Sequence, residues 1–487
     1  MRLIIGFTLP TLFGMLFQQM YNMVDTMIVG RLLGAHALAA VGATGSINFL
    51  VIGFCIGICS GFAIPVARAM GAGDHSTMRQ YAVNGAYLSA AFALVLTAAT
   101  ALLCGNILRT MNTPGDIYAD AYNYIFIIFL GIPATFLYNL LAGIIRSLGD
   151  SRTPVYFLAM SSVLNIALDI VLILYSGLGV AGAALATVIS QGVSGLACLV
   201  FMYYRFPILR LNRSERRLAG RLCRELCAMG LPMGLQYSVT AIGSIVLQTA
   251  VNGLGSLYVA ATAAGAKLMN FLACPYDAMG AAMATWCGQN TGAGKPDRLS
   301  QGIKACSLLG LGYAIAAFGA MVAFAPTCAA WFVRTADEAE LSLLIGLISR
   351  YIRVAAAFGF PLALVNILRF AIQGMGYSLF AVLAGVLEMI ARAGVGRFAV
   401  PVFGFGAVCF ASPAAWICAD LFLIPACILC VGRIRKYIRL LHRHDQRAIH
   451  AAIQRIAAEN TARPHLHDGY VRRPGPSRRR HPHHPAA

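Results

Sequence analysis

The chain is a succession of apolar runs, each long enough to cross a bilayer. At about 20 residues per crossing, twelve can be marked, over 5–29, 37–66, 81–105, 121–145, 154–175, 181–204, 226–252, 257–287, 302–332, 346–372, 379–400 and 407–431. A backbone in hydrocarbon must satisfy its own hydrogen bonds, so runs of this length are helices. Several have length to spare for tilting or for projecting past the membrane. Composition agrees: 59% of the 487 residues are hydrophobic and 11% are charged, where soluble domains carry about 25% charged residues. The first run carries Asp25 and lacks the cleavage pattern of a secretory signal, so it is read as a transmembrane helix.

Charge placement gives the expected topology. Arg79, Arg146, Arg152, the cluster from Arg205 to Arg224, Lys295, Arg298 and the basic tail fall on one side. Basic loops mark the cytoplasmic face. The opposite loops hold the acidic stretches "NTPGDIYAD" and "TADEAE", although Arg31, Arg109 and Arg334 also fall there. Both termini are therefore expected in the cytoplasm, with the chain in the plasma or inner membrane of a bacterial cell. From Arg433 to Ala487 there are 13 Lys+Arg and 3 Asp+Glu, a net +10, and 8 of the 10 histidines. So polar a segment cannot bury a core and reads as a disordered tail, whose first part has the character of a basic helix at the lipid surface. Membrane lipid, not nucleic acid, is its expected partner. The 14 cysteines are scattered through apolar runs, and Cys427 and Cys430 read as small helix residues.

The halves repeat each other. "FTLPTLFGMLFQQM" at 7–20 resembles "AMGLPMGLQYSVTA" at 228–241, "GAGD" at 71–74 answers "GAGK" at 292–295, and "FLGIPATFLYNLL" at 129–141 answers "AFGFPLALVNIL" at 357–368. Across five such pairs the offset stays between 221 and 228 residues. Internal repeats of this size mark secondary transporters, whose sites lie where the repeats meet. The expected fold is all-α: twelve transmembrane helices in two pseudo-symmetric six-helix bundles around a central cavity. The expected divisions are a first lobe at 1–204, a basic cytoplasmic linker at 205–225, a second lobe at 226–432 and the tail at 433–487.

Polar residues inside the spans locate the chemistry. Asn165 and Asp169 lie four apart in "SSVLNIALDIVLILY" and so share a helix face. Asp25 lies near the outer end of the first span, one turn after Asn22. The fourth span adds Tyr124 and Asn139 and the sixth adds Thr187. Intramembrane carboxylates mark ion and proton paths. A hard cation needs oxygen ligands, while a proton needs a buried carboxylate. The cluster can therefore serve Na+, at Asp25, Asn165, Asp169 and Thr187, or H+. In the second half Glu388 and Arg392 stand 223 residues after Asn165 and Asp169, an acid and a base able to pair. Lys267 and Asp277 complete the polar set expected around the second-half cavity, with Asp420 a weaker candidate.

An enzymatic alternative fails on order. Gly71-Ala72-Gly73-Asp74 and Tyr276-Asp277 match the two motifs of intramembrane aspartyl proteases, but the Tyr-Asp should come first. The glycines sit at a helix end, and no H-E-x-x-H or G-x-S-x-G is present. A transporter is expected, not an enzyme, and no cofactor beyond the coupling ion.

Several stretches carry a resemblance. "LPTLFGMLFQQMYNMVDTMIVGRLLGAHALAAVG" in the first half resembles a signature of the multidrug and toxic compound extrusion (MATE) transporters. The second-half stretch from "GLPMG" through "GQNTGAGKPDR" resembles another, as do "IIRSLGDSRTPV", "LNIALDIVLI" and "GVAGAALATVISQ". The resemblance covers residues 1 to about 432. It implies cation-coupled antiport of drugs or organic cations by alternating access, in a monomer handling cationic or amphipathic small molecules. It also implies that Asp25, Asn165, Asp169, Thr187, Tyr124 and Asn139 stand at family coupling positions. Tyr276-Asp277 and the tail depart from the pattern. The alternative within the superfamily is a flippase for lipid-linked precursors, which would carry a more cationic cavity.

Overall fold

The computed structural model describes residues 2–111, 113, 115, 117–331 and 338–461, excluding the side chains of 441–461 and of some scattered residues elsewhere. The expectations for 462–487 lie outside the described residues. Fourteen α-helices and no strand occur among the described residues. In chain order they are α1 (Arg2–Ala72), α2 (His75–Thr110), α3 (Tyr118–Leu130), α4 (Ile132–Ser147), α5 (Arg152–Ile170), α6 (Gly179–Arg205), α7 (Gly220–Asn252), α8 (Ser256–Gly292), α9 (Pro296–Ala330), α10 (Glu338–Ala357), α11 (Gly359–Gly374), α12 (Ser378–Gly394), α13 (Val400–Phe403) and α14 (Phe405–Thr461).

Among the described residues ten segments are long and apolar enough to span, and two bent pairs, each taken as one span, bring the number to twelve. The fold is thus an all-α membrane protein. α1 holds two spans, Leu3–Asp25 and Ala40–Ala72, divided at Gly34. Gly34 adopts φ 85°, a backbone conformation open to glycine and strained for other residues. The bent pairs are α3 with α4, at 45°, and α10 with α11, at 52°. Each break comes just before a proline, Pro133 or Pro361, which removes a backbone donor and cannot continue the preceding turn. These breaks occupy equivalent places in the two repeats.

A second pair of irregularities is equally symmetric. α5 passes into a π-helical turn at Val171–Tyr175, and α12 into one at Val395–Ala399. Single π turns are frequent at functional sites. The first follows Asp169 directly and the second follows Arg392 within one turn.

Among the described residues two large apolar cores form, beside a small cluster of Ala40, Ile117 and Ala121. One gathers Ile58, Phe62, Phe129, Phe136 and their neighbours, the other Ile348, Ile352, Val400 and Val408. Across the halves α1 packs closely on α7. A Cβ at Gly61 would lie 2.5 Å from Gly230 Cα, and one at Gly57 would lie 2.6 Å from the Met233 carbonyl oxygen. Small residues allow such approach, which is how membrane helices gain packing energy.

The linker between α6 and α7 is tied to α2. Arg79 donates to Glu215 through Nε and Nη2, at 2.8 and 2.6 Å, and Ser76 Oγ donates at 2.9 Å. The Ala219 amide donates to Asn84 Oδ1 at 2.9 Å, and Asn84 is fully buried. Met1–Ile434 form one compact unit, and a second begins at Arg435.

Candidate functional site

A cavity of about 900 Å³ is lined from both halves. Asp25, Asn22, Tyr124, Asn139 and Thr187 line it from the first half, and Asp277 and Arg369 from the second.

Asn165 and Asp169 lie behind that wall, 1% and 0% exposed. The i,i+4 spacing on α5 turns both toward the same neighbours. Asn165 Nδ2 donates to Thr187 Oγ1 on α6 at 3.4 Å, and the threonine donates in turn to the Ala183 carbonyl at 3.1 Å. The Asp169 and Asp25 carboxyls lie within hydrogen-bonding reach of each other. Yet Asp25 Oδ1, both Asp169 carboxylate oxygens and Asn165 Oδ1 have no donor among the described residues. These two facts agree, because one carboxyl can bond another only when one of them carries a proton. Four donorless oxygens in one buried place suit either a proton or a hard cation. No group of three or more His, Cys, Asp or Glu occurs among the described residues, so a transition-metal site is not what this donor set resembles.

Tyr124 is buried at the cavity wall. Asn139 lies one turn along α4 from Thr135, donating to the Thr135 carbonyl at 2.8 Å, while Thr135 Oγ1 donates to Gln191 at 2.8 Å. Of the six first-half residues singled out in the sequence, Asp25, Tyr124, Asn139 and Thr187 line the cavity from α1, α3, α4 and α6, and Asn165 and Asp169 lie on α5 as neighbours of Thr187 and Asp25.

The second half is arranged differently. Glu388 Oε2 accepts from Arg392 Nη2 at 3.2 Å, the pair expected from their spacing. Its other oxygen accepts from Arg369 of α11. All three side chains are buried, and only Arg369 lines the cavity. Asp277 lines it too, whereas Lys267 is exposed and takes no part in the lining. Asp420 is buried, with Oδ1 lacking a donor.

Sequence reasoning missed two cavity bases, Arg369 and Arg146. A search of the spans for arginine as well as acid would have found Arg369 in "NILRFAIQG". Arg146 was legible only as a member of the basic loop beside it.

Outside the spans, the Arg79 guanidinium holds the Glu215 carboxyl down at about 2, helped by the Asn212 amide. The linker tie is therefore charged at every physiological pH.

A sequence profile of the MatE family matches residues 10–171 and 232–396, once in each half. YoeA of Bacillus subtilis, named a probable multidrug resistance protein, is 34% identical over 307 residues, 61% of this chain and 66% of that one. NorM of Thermotoga maritima, also named a probable multidrug resistance protein, is 24% identical over 380 residues, 77% of this chain and 80% of that one. The matched stretch thus spans just under two thirds of YoeA. A crystal structure of a MATE protein in complex with MaL6 superposes with a TM-score of 0.83 at 22% identity, covering 89% of this chain and 97% of that one. The profile matches take in more than half of the chain and pair with its internal repeat, so the chain belongs to the MatE family of multi-pass membrane transporters.

Proposed function

We propose that the protein is a secondary active efflux transporter that exchanges a cation for drugs or other amphipathic organic compounds by alternating access. The observation that carries this reading is the Asp25–Asp169 pair, the first half-buried and the second fully buried, at the edge of a cavity that both halves line. A carboxyl pair without donors gains from taking up a proton or a Na+ ion. Asn165 and Thr187 supply further oxygens for the ion. The names of YoeA and NorM support drugs as cargo.

The place where the halves touch supports alternating access. They pack tightly through Gly57, Gly61, Gly230 and Gly234, toward the end that bears the basic loops. Neutralising the carboxyl pair would change what α1 and α5 can bury, and so bias the choice between a cavity closed at that end and one open to it. The basic-loop end is taken as cytoplasmic, in a bacterial inner membrane, with the molecule acting as a monomer of two lobes and a tail.

Proteoliposomes loaded with a fluorescent organic cation test this. Efflux should respond to an imposed Na+ or proton gradient when the two are varied separately, and dissipating the gradient should abolish it. Efflux indifferent to both would overturn the reading. The flippase alternative draws on one observation, the arginines 146 and 369 in the cavity wall.

A further inference from the structure

Arg146 closes α4 in its last turn and lines the cavity. It has no ion-pair partner among the described residues. Its electrostatic neighbours are Tyr138, Cys198, Cys59 and Tyr237, none of them a carboxylate. Arg146 is half-buried in the cavity wall, so its guanidinium faces the cavity without a protein counter-charge and can take an anionic ligand there.

Tyr237 of α7 shows what surrounds that ligand. It lies within electrostatic reach of Arg146 in the first half and of Asp277 and Arg369 in the second. Arg369 shares Glu388 with Arg392, so two guanidiniums divide one carboxylate, and Arg369 Nε has no acceptor among the described residues. Asp277 and Asp420 are the remaining acids within reach of Arg369, and neither is paired with it. Asp25 and Asp169, the first-half acids, are not among the electrostatic neighbours of Arg146.

From this arrangement we propose that Arg146, with Tyr237 beside it and Arg369 across the cavity, is an anion-accepting subsite for the cargo. The cargo then includes amphipathic molecules bearing an acidic group, zwitterions or acids, beside organic cations. A planar guanidinium accepts a carboxylate or phosphate through two parallel hydrogen bonds, which gives orientation as well as affinity. The inference rests on the efflux reading and narrows its substrate class.

Binding of two matched dyes to the purified full-length protein tests it. Rhodamine 110 carries a free carboxyl, and rhodamine 123 is its methyl ester. The wild type should bind the acid at least as tightly as the ester. R146Q should weaken the acid about tenfold, as expected when a charged hydrogen-bond partner is lost, and the ester less than twofold. R146K should restore part of the difference. A wild type that prefers the ester tenfold overturns the subsite even if R146Q does not fold. So does an R146Q protein that loses both dyes alike. Short-chain fluorescent phosphatidic acid forms a second arm, separating a lipid phosphate from a drug carboxylate. A tenfold loss in either arm supports the subsite, and no loss in both overturns it. If the dyes bind as stated but neither moves under a gradient, the efflux reading falls and the subsite stands. If the ester is exported and R146Q treats both dyes alike, the reverse holds.

Discussion

Gln289 of the second half donates through Nε2 to the Ser147 carbonyl of the first, at 2.9 Å. The repeat returns the contact: Arg68, which stands where Gln289 does one repeat earlier, donates through Nε to the Gly374 carbonyl at 3.4 Å. Two symmetric bonds therefore join the halves at the end that carries the basic loops. They form a closure, reinforced by the glycine contacts between α1 and α7.

Gln289→Ala should loosen that closure. One net hydrogen bond is worth about 0.5–1.5 kcal/mol, so the population open at this end should rise about two- to tenfold. In a cysteine-free background, a reporter cysteine at position 281 on the cavity wall should react correspondingly faster with an impermeant maleimide added at this face. Gly61→Val should go further, since its side chain meets Gly230 Cα. Overpacking of that kind costs about 1–3 kcal/mol and should appear as a lower Tm, while Gly6→Ala, with nothing within 4 Å of its Cβ, should not. Unchanged labelling and Tm would contradict the closure.

Glu388 holds two guanidiniums, so its loss should be the worst single change in the second half. Breaking a buried pair costs about 3–5 kcal/mol. Glu388→Gln strands both Arg369 and Arg392, whereas Arg392→Gln leaves Arg369 paired. Thermal stability in detergent should fall in the order wild type, R392Q, E388Q. The double change should recover only part of the loss, because Arg369 remains unpaired. Equal damage from the two single changes would refute the three-residue arrangement.

The linker tie gives a pH prediction. Glu215 is held at about 2, well below its ordinary 4.5, chiefly by hydrogen bonds from Arg79. A depressed carboxylate contributes stability above its unfolded value and loses it as pH falls through the folded one. Amide protection across residues 205–219, corrected for intrinsic exchange, should hold from pH 7 to pH 4 and drop only as pH approaches about 2. Glu215→Gln should lose protection already at pH 7. A wild type that loosens between pH 5 and 4 would show that Arg79 does not hold the carboxylate.

What the sequence could reveal was local or periodic. Twelve spans follow from run length, and the bends at Pro133 and Pro361 coincide with the repeat offset. Asn165 with Asp169 and Glu388 with Arg392 are visible because four residues make one helical turn. The missed contacts join residues that no period connects. Arg369 reaches Glu388 across two helices, and Arg146 looks like one more basic loop residue until the cavity is seen beside it. Lys267 shows the converse: a base inside an apolar run need not face inward, since a long side chain can snorkel from the surface of the bundle. The partnership of Asp25 with Asp169 is likewise tertiary, as 144 residues separate them.

That partnership is the centre of the account, and ion-driven efflux in proteoliposomes tests it most directly. Asp25→Asn and Asp169→Asn should each reach the membrane at wild-type levels and keep their fold. Each should reduce gradient-driven efflux of a fluorescent organic cation at least a hundredfold, under both Na+ and proton gradients. Wild-type transport rates in both variants would contradict the account.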